Sequence, residues 1–145
     1  MKIPTTLIIL DGFAIDSPHA GNAIAAANTP VFDELMKSCP NSLLSASGRD
    51  VGLPDGTMGN SEVGHMNIGA GRIVYQSLLR ITNSIDDGSF FENEVYISAI
   101  DEAVSKGAAV HLFILMSDIG VHSDIYHLWA ALELCRRCGA KEVYV

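Results

Sequence analysis

The stretch from Ala109 to Val145 decides the fold and reads AVHLFILMSDIGVHSDIYHLWAALELCRRCGAKEVYV. Residues 109–115 are almost entirely apolar, which is typical of a strand covered on both faces of a parallel sheet. Between Ser123, the expected N-cap, and Gly139, apolar residues recur at helical spacing. Residues 141–145 begin another strand. This order of strand, helix and strand predicts an α/β fold with a mostly parallel sheet flanked by helices.

Two further helices are predicted upstream of this stretch. One has an apolar face that begins after Asn93 and ends at Gly107. The other begins at Thr29, an N-cap residue followed by a first-turn proline, and Pro40 prevents its continuation.

The same pattern predicts additional strands. Residues 5–10, Thr-Thr-Leu-Ile-Ile-Leu, form an apolar run that is typical of a first buried strand, and residues 43–46 are expected to form a second, shorter one. Residues 73–85 contain both helical and strand signals, and both assignments stay open. Because the sequence ends inside the strand at 141–145, we expect a fragment of a longer protein.

The composition narrows the class of protein. Of the 145 residues, 48% are hydrophobic, which supplies a core and excludes intrinsic disorder as the main description. The formal net charge of −8, from 9 Lys plus Arg and 17 Asp plus Glu, disfavours a nucleic-acid or anionic-membrane partner. The longest apolar run, residues 108–116, is far shorter than the roughly 18 residues of a membrane span. The sequence therefore predicts a soluble protein.

The three cysteines indicate a reducing compartment. An odd number of thiols in a chain with a sizeable core argues against a disulfide framework, so we expect a cytoplasmic protein. Cys135 and Cys138 form a Cys-x-x-Cys in a predicted helix, and with Cys39 as the third cysteine they cannot complete a four-cysteine zinc site. Two free helical thiols are the favoured interpretation.

A glycine-rich segment is the first candidate for chemistry. Seven of the 13 glycines lie between Gly48 and Gly71, a density that predicts neither a long helix nor a long strand. Long loops inside compact domains are uncommon unless they are functional.

Asp11 and Ser61 are the principal site candidates. Asp11 follows the predicted strand at 5–10, at the carboxyl end where ligands gather in α/β sheets, although Asp-Gly is also a common turn pair. Ser61 lies where a tight turn and a helix start could present N–H groups to an anion, and the alternative is that it is only an N-cap. Since no Gly-x-Ser-x-Gly elbow is present, activation by a metal shared with Asp11 is the remaining route to a nucleophilic serine.

Two histidines are weaker candidates. His122, in the loop after a predicted buried strand, could bind a phosphate or relay a proton, or it could simply be exposed. His65 could be a ligand or a helix-packing residue.

Three segments together resemble one enzyme family. Residues 51–72, VGLPDGTMGNSEVGHMNIGAGR, closely resemble the signature of the cofactor-independent (2,3-bisphosphoglycerate-independent) phosphoglycerate mutases, members of the alkaline phosphatase superfamily. Residues 10–13 and 117–123 resemble two further blocks of that family in the same order. The likeness covers essentially the whole chain.

The resemblance implies an activity, a cofactor and three site residues. It implies interconversion of 3-phosphoglycerate and 2-phosphoglycerate in glycolysis, with two manganese ions and without 2,3-bisphosphoglycerate. Ser61 matches the phosphate-accepting serine and a metal ligand, Asp11 matches a metal ligand, and His122 matches a substrate-binding residue.

It also implies a domain organisation. Residues 1–76 are expected to begin a metal-binding phosphatase domain, and residues 77–145 the first part of an inserted transferase domain. The partner is a small molecule, phosphoglycerate, and the full-length enzyme is expected to be a monomer. The 145 residues alone are expected to be inactive, because the remaining metal and substrate ligands would lie elsewhere.

Four residues depart from the family pattern, and two alternative functions stay open. Relatives usually have glycine at Ile119, histidine at Asp124, glutamine at Thr57 and glycine at Ala14, and the first two departures flank His122. The alternatives are another phosphatase or phosphomutase of the same superfamily, or a non-catalytic segment that folds in part or associates with other chains.

Overall fold

The computed structural model describes residues 3–13, 15–118, 120 and 122–145. These residues form six α-helices, two short 3₁₀ turns at Gly48–Val51 and Ser89–Glu92, and one pair of strands. In chain order the helices and strands are α1 (Ala23–Ala26), α2 (Pro30–Ser38), α3 (Ser61–Ala70), α4 (Ser77–Asp86), α5 (Glu94–Ser105), β1 (Val110–His111), α6 (Ile125–Arg137) and β2 (Val143–Tyr144).

β1 and β2 are parallel and are connected through α6. Val110 pairs with Val143 and His111 with Tyr144, and the rings of His111 and Tyr144 stack with centroids 5.2 Å apart. The amide of Leu112 extends the ladder by donating to the carbonyl of Tyr144 at 2.8 Å. Because parallel strands require a crossover such as a helix, this β1–α6–β2 unit confirms the predicted α/β class.

The predicted strands are mostly longer than the observed ones. Residues 5–10 are exposed and form no strand, and near 43–46 the pairing that the described residues show is an isolated bridge between Ser47 and Met58. The strands expected at 109–115 and 141–145 shrink to β1 and β2. The expectations at 5–10 and 43–46 are wrong, and those at 109–115 and 141–145 are correct in position but too long. An apolar run becomes a strand only beside a neighbour that takes up its backbone hydrogen bonds, and the described residues supply one such pair.

The helices follow the predictions more closely. α2 and α5 lie where Thr29-Pro30 and Asn93 place them, and Gly107 follows α5 with φ +62°. The N-cap of α6, however, is Asp124 and not Ser123: a side-chain oxygen of Asp124 accepts from the amide of Tyr126 at 2.8 Å. Both residue types cap helices well, so the start shifts by one residue without loss of a cap.

α4 shows that residues 77–85 of the ambiguous segment are helical, whereas residues 73–76 form neither a helix nor a strand. It buries Leu79 and Ile85 and packs against α6 and the second 3₁₀ turn. Thr82 lies 3.0 Å from Nε2 of His127, and the hydroxyl of Tyr126 donates to Asp86 at 3.0 Å. These two polar contacts join α4 to α6.

The main core lies between α5, α6 and the sheet. Ile100, Leu134 and Cys135 are its buried members, and Leu134 and Cys135 are only 2% and 1% exposed. Phenylalanines of the second 3₁₀ turn pack against this cluster, and the guanidinium of Arg137 lies 3.8 Å from the ring centroid of Phe91. None of the helices in the described part of the chain is long and apolar enough to cross a bilayer.

Candidate active site

A helix occupies the second half of the glycine-rich segment. The expectation that this segment holds no long helix is wrong for α3, which includes Gly64 and Gly69. Each interior glycine costs about 1 kcal/mol relative to alanine. Two caps offset that cost: the side chain of Asn60 accepts from the amide of Val63 at 3.1 Å, and Gly71 ends the helix at φ +64°.

The first half of the segment holds α3 against the rest of the chain. A Cβ on Gly59 would lie 1.8 Å from the carbonyl oxygen of Ala46, and one on Gly52, at φ +86°, would lie 2.1 Å from that of Val74. Side-chain atoms of Asn67 accept from the amide of Val74 at 2.7 Å and donate to the carbonyl of Val51 at 3.0 Å. Glycine is therefore required at positions 52 and 59 by close backbone approach.

Ser61 is the first residue of α3. Its backbone is helical and Asn60 is the N-cap, so the alternative that Ser61 serves only as an N-cap is wrong. The Ser61 hydroxyl is exposed and donates to Oδ2 of Asp11 at 2.8 Å, across fifty residues of sequence. The structure thus brings together two of the three site residues that the sequence indicated.

His65 is the third member of this cluster. One turn after Ser61, its Nδ1 lies 3.1 Å from Oγ of Ser61 and 2.8 Å from the Ser61 carbonyl oxygen. His65 is exposed, so it does not pack into a core. Residues four apart lie on the same face of a helix, so an expected helix at α3 would have indicated that Ser61 and His65 are neighbours.

His122 stands apart from the cluster in its hydrogen bonding. It is exposed, with a left-handed backbone at φ +70°, and within the described residues it makes no hydrogen bond to Asp11 or Ser61. Of the four departures noted above, Ala14 and Ile119 lie outside the described residues. Asp124 caps α6, which gives this departure a structural role beside His122.

The cluster supplies part of a metal-binding set. The Asp11 carboxylate and the Ser61 hydroxyl are hard oxygen ligands of the kind that Mg²⁺ and Mn²⁺ prefer, and their hydrogen bond shows that they converge. Within the described residues, no group of three or more His, Cys, Asp or Glu side chains could hold a metal ion. The oxygen atoms of Asp11 and Ser61 are therefore chemically suited to a divalent metal ion.

The Cys-x-x-Cys is a separate, structural feature. Cys135 is buried in α6 and Cys138 caps its C-terminus, and both are free thiols, as the sequence predicted. Burial raises the pKa of both thiols, with a further increase at Cys135 from its neighbour Cys138 and at Cys138 from Asp101. Raised pKa values keep these groups as unreactive thiols at neutral pH.

Comparison with known proteins identifies the family. A family profile described as "Metalloenzyme superfamily" matches residues 3–134. The chain is 59% identical over 142 residues to "2,3-bisphosphoglycerate-independent phosphoglycerate mutase" of Pseudomonas syringae pv. tomato (strain ATCC BAA-871 / DC3000), covering 98% of this chain and 28% of that protein. It is 58% identical over 144 residues to the proteins of the same name from Aliivibrio fischeri (strain MJ11) and Staphylococcus aureus (strain N315), again covering 28% of each.

These matches confirm the resemblance inferred from residues 10–13, 51–72 and 117–123, which covers nearly the whole chain. The chain spans little more than a quarter of the length of these relatives, and the matched part is N-terminal. With a profile match from residue 3 to residue 134, the chain belongs to the metalloenzyme superfamily, of alkaline-phosphatase-like fold.

Proposed function

We propose that the protein to which this chain contributes interconverts 3-phosphoglycerate and 2-phosphoglycerate through a phosphoserine at Ser61. The observation that carries the proposal is the hydrogen bond from Ser61, at the start of α3, to Asp11. Both residues lie within the region matched by the family profile, and the relatives named above are phosphoglycerate mutases. As the chain covers 28% of those relatives, the activity is proposed for the whole protein.

The position of Ser61 suits a phosphate acceptor. The first turn of a helix presents backbone N–H groups and the positive end of the helix dipole, both of which favour a phosphate group. The exposed hydroxyl is accessible to a substrate, and Asp11 Oδ2 already holds its proton in a hydrogen bond. Asp11 is thus placed to accept that proton as the serine oxygen attacks phosphorus.

Asp11 and Ser61 would hold a metal ion in the complete protein, and we propose two manganese ions for the full site. A bound divalent ion lowers the pKa of an oxygen nucleophile and offsets the charge of the phosphoryl group. Because the serine itself carries the phosphoryl group between the two positions of the glycerate, the reaction needs no 2,3-bisphosphoglycerate.

Titration of the 145-residue chain with manganese tests the proposed metal ligands without an activity assay. One carboxylate and one hydroxyl leave most of a six-coordinate shell to water, so calorimetry should detect no tight site. An Asp11→Asn variant is the control for any weak binding. A tight isotherm that disappears in this variant would show that the chain holds a complete site by itself.

The remaining assignments follow the same proposal. His122 would bind the substrate, and its exposed position in the loop before α6 supports that role. Residues 1–76 would belong to the phosphatase domain and residues 77–145 to the inserted transferase domain. A cytoplasmic location is supported by three free cysteines.

The experiment uses a hybrid enzyme, in which residues 1–145 replace the matching N-terminal part of the Pseudomonas syringae mutase. We expect the hybrid to convert 3-phosphoglycerate with manganese in an enolase-coupled assay and to show a phosphoserine by mass spectrometry. Ser61→Ala should abolish both signals, since no other group in the cluster has a hydroxyl. Ser98→Ala, at an exposed serine of α5, is the matched control and should leave both unchanged.

Turnover above trace in the Ser61→Ala hybrid would overturn the proposal. The chain alone is the third arm, and it should be inactive, because it spans 28% of the length of the mutase and would lack the remaining metal and substrate ligands. Phosphate release without isomerisation in the hybrid would favour a phosphatase of the same superfamily.

A further inference from the structure

We propose that His65 is a positioning residue for Ser61, acting through its Nδ1–H. This inference rests on the proposed role of Ser61 as the phosphate acceptor. It assigns to His65 no contact with the substrate and no proton transfer, but the task of holding the Ser61 side chain so that its hydroxyl faces Asp11.

The location of the imidazole proton follows from the contacts. Nδ1 of His65 lies 2.8 Å from the carbonyl oxygen of Ser61, and a carbonyl oxygen only accepts hydrogen bonds. Nδ1 must therefore be the protonated nitrogen, which leaves Nε2 of the neutral ring without a proton.

The direction of the second contact follows from the first. Because Nδ1 carries a hydrogen, it cannot accept from the Ser61 hydroxyl, and Oγ of Ser61, 3.1 Å away, shares that one hydrogen with the Ser61 carbonyl oxygen as a second acceptor. The Ser61 proton is then free to point at Asp11 Oδ2, where the 2.8 Å contact places it. The hydrogen bonds run in one direction, from His65 to Ser61 to Asp11, so His65 is not a base for the Ser61 proton.

The χ1 torsion of Ser61 explains why the contact with His65 controls the position of the serine hydroxyl. The χ1 angle of a serine has three staggered positions, and one of them directs Oγ toward Asp11. His65 is one helical turn from Ser61, and its ring is fixed by the Ser61 carbonyl as well as by Oγ. The ring therefore favours the position in which Ser61 meets both partners.

The tautomer of His65 can be measured on the 145-residue chain. With five histidines, long-range ¹H–¹⁵N spectra of the imidazoles are simple, and the His65 signal is assigned by its loss in His65→Asn. For the neutral ring, recorded at about pH 8.5, we expect a protonated Nδ1 and an unprotonated Nε2. Free imidazole side chains favour the opposite tautomer, so an Nε2–H or an averaged pattern would overturn the proposal.

The hybrid enzyme supplies the second test. In His65→Asn the side-chain amide nitrogen can take the place of Nδ1, whereas in His65→Gln it lies nearer to the place of Nε2. We expect His65→Ala and His65→Gln to lower kcat about tenfold with little change in KM, and His65→Asn to retain most of the activity.

The expected order of activities among these variants distinguishes a positioning role of His65 from a role in helix stability. Asparagine is a poorer helix former than glutamine, so a purely structural role of His65 predicts that Asn is the worse replacement. Equal losses in Asn and Ala, or a fully active Gln variant, would contradict positioning by Nδ1–H. The proposed function fails separately, through an active Ser61→Ala hybrid, and the spectra decide the tautomer whatever the hybrid does.

Discussion

Residues 3–47 and residues 77–145 are both rich in apolar side chains, but they differ in how many of these they bury. Among the described residues, the first region contains no buried side chain, and Leu7 and Ile8 are 72% and 76% exposed. The second region contains seven of the nine hydrophobic residues that are buried in the described part of the chain. The difference shows that apolar content does not make a core unless a second layer covers it. Asp11 belongs to the uncovered region, and its hydrogen bond with Ser61 joins that region to the glycine-rich segment.

The largest expected effect on the free energy of unfolding is the difference between two Leu→Ala substitutions, one in each region. Leu134→Ala removes a side chain that is 2% exposed and leaves a cavity, which typically costs about 2–5 kcal/mol in the free energy of unfolding. Leu7→Ala removes the same atoms from an exposed site and should change it by less than about 0.5 kcal/mol. Urea denaturation followed by the fluorescence of Trp129 measures both. Equal losses would show that residues 3–47 are packed as tightly as α6.

The contrast also shows which parts of the fold the sequence could predict. α2, α5 and α6 were predictable because apolar spacing, caps and glycine stops act within a few residues. The strand expected at 5–10 depended on a neighbour elsewhere in the protein, which a local pattern cannot supply. α3 was missed because its glycines outweighed two signals that were present, Asn60 before the helix and Gly71 after it.

The candidate site was predictable to a similar degree. Ser61 and Asp11 were indicated by their positions in a glycine-rich segment and after an apolar run, and the family resemblance joined them. Their contact crosses fifty residues, so local pattern alone could not give its geometry. His65 was left open between two interpretations because its role depends on a helix that was not expected. The roles of Ser61, Asp11 and His122 in the reaction stay predictions.

A smaller effect on stability is expected in the glycine-rich segment, where Gly52 approaches Val74. Gly52→Ala and Gly56→Ala both place a side chain at positive φ, +86° and +76°, at a cost of roughly 1–2 kcal/mol each. Only the Gly52 variant also drives a Cβ into the carbonyl of Val74, 2.1 Å away, whereas nothing lies within 4 Å at Gly56. Gly52→Ala should therefore be the more destabilising of the two in urea. Equal effects would show that residues 52 and 74 are not held together in solution.

The smallest expected effect is a pH dependence confined to the packed region. Hydrogen bonds from Arg136 and Arg137 lower the pKa of Glu133 from an ordinary value of 4.5 to about 2. A carboxyl group with a lowered pKa in the folded state stabilises the protein fully above its unfolded value, and that contribution is lost as the pH falls toward the folded value. The difference in stability between the wild type and Glu133→Gln should therefore be constant above about pH 4.5 and shrink between pH 4.5 and 2.

This effect should be small, because Arg136 and Arg137 are exposed and screened by solvent. Glu133 also holds Arg137, whose guanidinium covers the ring of Phe91, so its protonation should loosen the contact between α6 and the second 3₁₀ turn. Arg137→Gln is the matched control: in that background, Glu133→Gln should show a reduced pH dependence. Urea denaturation at intervals from pH 7 to pH 2 measures all four proteins. A difference between wild type and Glu133→Gln that stays constant over the whole range would contradict the lowered pKa, because a carboxyl group with the same pKa in the folded and unfolded states contributes no pH dependence.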